Sequence, residues 1–93
     1  MKVAETFPNL QLYSAFECSI RKISKINFSG LRKLEKIVLR QNQIEEIEEN
    51  SFDDQTKLKE LNLRVNKIRK MNEKKKKNLK KLESLNVGSN RLT

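Results

Sequence analysis

The apolar residues of this chain keep a fixed step. Leu58, Leu61, Leu63 and Ile68 stand at spacings of 3, 2 and 5, with Asn66 between the last two. The same figure lies 24 residues earlier as Leu34, Ile37, Leu39, Asn42 and Ile44, and 24 later as Leu82, Leu85, Val87, Asn90 and Leu92. A worn copy lies 48 residues earlier as Leu10, Tyr13, Ala15, Cys18 and Ile20. These spacings do not fit an amphipathic helix, which needs steps of 3 and 4. The alternation Leu61-x-Leu63 fits a short strand with both leucines on one face. A constant period of this size predicts a solenoid that winds one short unit per coil.

The second half of each unit has its own apolar places: Ile20, Ile23, Phe28 and Leu31 in one copy, Ile44, Ile47 and Phe52 in the next. Counting seven inward slots per full unit and four in the last gives 25, of which 23 are apolar. At 35% hydrophobic residues overall, chance would fill about nine, so the phase is real. Gln55 and Lys76 are the two slots that depart from it.

In spacing and residue type these copies resemble the leucine-rich repeat family, over essentially the whole chain. The period and the phenylalanine-bearing second half resemble its common extracellular subclass, with Cys18 departing from the asparagine. The resemblance implies an α/β solenoid: a right-handed coil with short parallel β-strands on a concave side and loops or short helical turns on a convex side. It also implies binding of other molecules and no chemistry. The units are 10–33, 34–57 and 58–81, with a partial one at 82–93. Residues 1–9 read as the tail of an upstream unit, since Phe7 is in register with Leu31 and Leu79. A chain that begins and ends inside a unit lacks the polar caps that terminal repeats need. It is therefore expected to be a fragment of a longer array.

The asparagine has a physical task. Where the chain leaves the sheet its backbone polar groups are buried, and a carboxamide can bond them across neighbouring coils. Asn42, Asn66 and Asn90 are expected to stack as a ladder. Cys18 occupies the same place as a small, weakly bonding residue.

Charge changes the picture next. The net charge is +9. It is banded: residues 20–33 sum to +5, residues 44–57 to −5, and residues 68–81 to +7. Equivalent places line up across coils, so Arg21, Glu45 and Arg69, then Lys22, Glu46 and Lys70, and also Lys25 with Glu49, are expected to neighbour one another. Lys74, Lys75, Lys76, Lys77, Lys80 and Lys81 make up most of the last band. They make the basic stretch 69–81 the site of the alternative reading, binding of a polyanion such as nucleic acid or of an anionic surface. No aromatic residue is interleaved among them, which leaves base stacking unsupported. Glu and Lys favour helix, so about two helical turns are expected between Met71 and Leu82.

In each strand the residues between the inward leucines face the other side of the sheet. This makes Phe16, Lys36, Val38, Arg40, Glu60, Asn62 and Arg64 the candidate partner-binding face, with Lys36 beside Glu60. Exposed Phe and Arg are favoured interface anchors. The expected partner is another protein.

The chain holds no histidine and one cysteine. That removes most metal sites, histidine-assisted nucleophiles and any internal disulfide. Neither catalysis nor a cofactor is implied. No apolar run is long enough for a membrane span. Asn27-Phe28-Ser29 is a glycosylation sequon, which matters only for a secreted chain. The subclass resemblance implies an extracellular or cell-surface location. The missing signal peptide and cysteine caps argue for the cytoplasm, but a fragment would lack both, so the expected location stays extracellular or cell surface.

Overall fold

The computed structural model describes residues 10–15, 19–71 and 78–92, with Lys80 described by its backbone alone. In chain order the elements are β1 (Leu12–Ser14), β2 (Lys22–Ile23), α1 (Lys25–Phe28), β3 (Lys36–Val38), β4 (Glu46–Ile47), β5 (Glu60–Asn62), a 3₁₀ turn (Leu79–Lys81) and β6 (Ser84–Asn86). Strands β1, β3, β5 and β6 form one parallel sheet in that order, while β2 and β4 pair on the far side of the coil.

The register follows the sequence period. Leu12, Lys36, Glu60 and Ser84 stand in one row across the sheet, Tyr13, Ile37, Leu61 and Leu85 in the next, and Ser14, Val38, Asn62 and Asn86 in a third. A slip by one residue would turn Ile37 and Leu61 to solvent, so burial fixes the pairing. Strand entry is tied by shared carbonyls. Gln11 C=O accepts the Glu35 and Lys36 N–H, Glu35 C=O those of Lys59 and Glu60, and Lys59 C=O those of Glu83 and Ser84. Strand exit runs the other way, with Leu39 N–H donating to Asn62 C=O and Leu63 N–H to Asn86 C=O, both at 2.8 Å.

The core is the file of inward slots between the sheet and the return path. Leu34, Ile37, Leu39 and Ile44 of one coil and Leu61, Leu63 and Ile68 of the next are essentially inaccessible to water. Each such side chain contributes on the order of 2 kcal/mol by leaving water. Phe28 and Phe52 stack at 5.7 Å with their planes 18° apart, and Tyr13 meets Phe28 edge-on at 5.4 Å. In the outer coils the file is half-open: Leu10, Tyr13, Ala15, Ile20, Leu85 and Val87 are partly buried and Leu92 is exposed.

Asparagines close the sheet exits. Asn42 Oδ1 accepts the Ile20 N–H at 3.3 Å, Asn66 Oδ1 the Ile44 N–H at 3.0 Å, and Asn90 Oδ1 the Ile68 N–H at 3.0 Å. Each Nδ2 donates to a carbonyl of its own coil and to one of the coil before, Ala15, Leu39 and Leu63 respectively. Cys18 lies outside the described residues. The residue before each asparagine is left-handed: Gln41 at φ 57°, Val65 at φ 60° and Ser89 at φ 55°. That turn aims the carboxamide inward, and valine is an uncommon choice for it.

Several expectations are corrected here. Gln55 does not break the core. It is 1% exposed, and its Nε2 donates to the Phe28 and Leu31 carbonyls at 2.7 and 3.1 Å. Its Oε1 has no hydrogen-bond partner among the described residues. Ser51 is equally buried and donates to the Glu48 and Ile23 carbonyls. The far-side ion pairs run along diagonals rather than rows. Lys22 Nζ reaches Glu48 at 2.7 Å, although its backbone register partner is Glu46. Asp54 takes the Gly30 N–H at 2.8 Å and lies 3.5 Å from Arg32. Long side chains lean, so a shared row does not fix the partner. Neither Arg21 with Glu45 nor Lys25 with Glu49 is among the ion pairs of the described residues. Between Met71 and Leu82 the described part holds one 3₁₀ turn, entered through Asn78 at φ 75°. The rest of that expected helix lies outside the described residues.

Candidate protein-binding face

Strand alternation sets the face. With Ile37, Leu39, Leu61 and Leu63 inward, Lys36, Val38 and Arg40, then Glu60, Asn62 and Arg64, turn to the opposite side of the sheet. All six are brought together on it. Lys36, Arg40, Glu60 and Arg64 are exposed, and Val38 and Asn62 are half-buried between them. Lys36 Nζ lies 3.2 Å from Glu60 Oε2, so the row at strand entry neutralises itself. Phe16 lies outside the described residues.

Sequence reasoning missed two features at the strand exits. Asn62 Oδ1 accepts the Arg64 N–H and Asn86 Oδ1 the Gly88 N–H, each at 3.1 Å. An asparagine two residues before the bonded amide marks such a local turn, and Asn-Leu-Arg and Asn-Val-Gly carry it. This fixes the backbone of Arg64 beside the strand end. The second feature is Gly88. A β-carbon there would stand 3.9 Å from Arg64 Cγ and 4.0 Å from Arg64 Nε. The arginine stem therefore lies along a bare stretch of main chain in the next coil.

The other candidates lie elsewhere. Lys81 is exposed at the end of the 3₁₀ turn. Lys74, Lys75, Lys76, Lys77 and the Lys80 side chain lie outside the described residues. Asn27 sits inside α1, half-buried, and its Oδ1 accepts the Ser24 N–H at 2.7 Å. Among the described residues no group of His, Cys, Asp or Glu could hold a metal ion, and no helix is long and apolar enough to cross a membrane.

A family model described as leucine rich repeat matches residues 17–68 and again residues 32–92. The chain belongs to the leucine-rich repeat family. No curated protein matches it. Leucine-rich repeat domains are in general protein-interaction modules, and the family is typically non-enzymatic. The repeat sheet described above gives such a module its rigid support. Its side chains rise from strands whose register is fixed by core burial, which limits the ordering cost of binding.

Proposed function

We propose that this leucine-rich repeat chain is a non-enzymatic protein-binding module that contacts its partner on the concave sheet face. The observation that carries the reading is the set of six side chains from two adjacent strands and their exits, Lys36, Val38, Arg40, Glu60, Asn62 and Arg64, held on one face. They set two arginines, which are favoured anchors, beside a half-buried valine and a pre-formed ion pair. Four strands at about 4.8 Å spacing offer a few hundred Å², against roughly 800 Å² per partner for a standard complex. The face therefore supplies part of a larger contact. The phenylalanine-bearing unit supports an extracellular or cell-surface setting.

The test is site-specific photocrosslinking in the full chain. A crosslinker at Val38 is expected to capture a discrete protein that unlabelled chain competes away, while one at Ile26 on the outer side is not. Equal capture at both places would remove the sheet face from the account.

A further inference from the structure

Charge on this chain is sorted by place along the coil. Residues 38–44, 62–68 and 86–92, where three successive coils leave the sheet, carry Arg40, Arg64, Lys67 and Arg91 and no Asp or Glu. The equivalent first-coil stretch, residues 14–20, carries Glu17 instead. Described acidic residues stand elsewhere: Glu35, Glu60 and Glu83 at strand entry, the rest on the far side of the coil. The exits are laid side by side by backbone bonds: Gln41 N–H to Arg64 C=O, Lys67 N–H to Ile44 C=O, and Arg91 N–H to Ile68 C=O.

Like charges on neighbouring coils oppose folding. The chain neutralises such a row at strand entry, where Lys36 meets Glu60. It does not do so for Arg64, Lys67 and Arg91, which none of the four ion pairs among the described residues uses. Val65 lies within the same strip. It is a β-branched residue at φ 60° and 43% exposed, which is strained and apolar where the equivalent Gln41 and Ser89 are polar. Neither choice serves stability.

Resting on the reading of the sheet face as a protein-binding surface, we infer that the strip Arg64–Lys67–Arg91 receives an acidic segment of the partner protein, with an apolar side chain seated on Val65. A guanidinium presents a planar fork that fits a carboxylate in two parallel bonds. The bare main chain at Gly88 gives the stem of Arg64 a support in the next coil. A nucleic acid fits less well, because the three stretches hold no aromatic residue for a base and place an apolar side chain at their centre.

The experiment uses the full chain and fluorescence anisotropy. Three labelled probes are compared: a peptide with alternate glutamates around one central leucine, its glutamine counterpart, and single-stranded oligothymidine. The glutamate peptide is expected to bind at least about tenfold tighter than the glutamine one. Arg64→Gln and Arg91→Gln should each weaken it several-fold. Val65→Asn should weaken it while raising Tm, a combination that a purely structural role does not give. Equal binding of the two peptides, oligothymidine binding as tightly as the glutamate peptide, or affinity unchanged in Arg64→Gln and Arg91→Gln would each overturn the inference. If the Val38 crosslink persists in those same variants, the protein-binding reading stands while the acidic-segment inference falls.

Discussion

Asn66 and Ile44 are 22 residues apart in sequence, and the Asn66 carboxamide takes the buried Ile44 N–H at 3.0 Å. The carbonyls on the other side of that carboxamide, Leu39 and Leu63, each have a second asparagine donor, Asn42 and Asn90. The amide is thus the group left stranded when Asn66 is removed. Asn66→Ala should cost about 2 kcal/mol, the range for an orphaned buried amide. Asn90→Ala should cost less, because that rung is half-exposed and water can replace it. Urea unfolding midpoints, compared at unchanged m-value, check the order.

Gln55 is the opposite case. Its two acceptors have other donors, since Phe28 C=O also takes the Leu31 N–H and Leu31 C=O the Leu34 N–H. Its own Oε1 is buried without a partner among the described residues. Gln55→Leu should therefore be nearly neutral, within about 1 kcal/mol, because it removes an unsatisfied oxygen and gains apolar contact. The same assay that shows Asn66→Leu strongly destabilised should show Gln55→Leu close to the parent.

Val65 sits at φ 60° in a turn that suits glycine or asparagine. Val65→Asn should stabilise the fold by about 1 kcal/mol, since asparagine tolerates the left-handed region that a β-branched side chain resists. Gln41→Val, at the equivalent place one coil earlier, should lose a comparable amount. Thermal melts of the pair check both signs.

Lys22 has its ammonium held above its ordinary pKa of 10.5, first by the hydrogen bond to Glu48, then by the charges of Glu48 and Glu46. A raised pKa favours the protonated form in the folded state. The stabilisation is complete below 10.5 and is lost as pH rises through the folded value. The melting difference between the parent and Glu48→Gln should be present near pH 9 and should vanish in strongly alkaline buffer. A difference that instead disappears on acidifying from pH 9 to pH 7 would contradict this assignment. The pair is exposed, so the effect is small.

The backbone plan was legible because a single constraint, burial at a constant step, governs both the spacing of Leu34, Ile37 and Leu39 and the register of their strands. The sheet-face residues followed from alternation alone. Gln55 and Ser51 were not legible. A polar residue in an apolar slot reads as a flaw until the carbonyls it serves are seen in the coil before. The Lys22–Glu48 diagonal was hidden for a different reason, since equal places in two repeats share a row but side-chain reach is set by rotamers. The basic strip escaped notice because its members come from two phases of the unit, Arg64 from one, Lys67 and Arg91 from another.

The shared carbonyls of the asparagine ladder have a consequence for how such a chain is damaged. Leu39 C=O answers to Asn42 in its own coil and to Asn66 in the next, and Leu63 C=O to Asn66 and Asn90. No repeat therefore owns its closing bonds. A lesion in one repeat is felt at the seam it shares with its neighbour, so the unit that tolerates or fails a mutation is the junction between two coils.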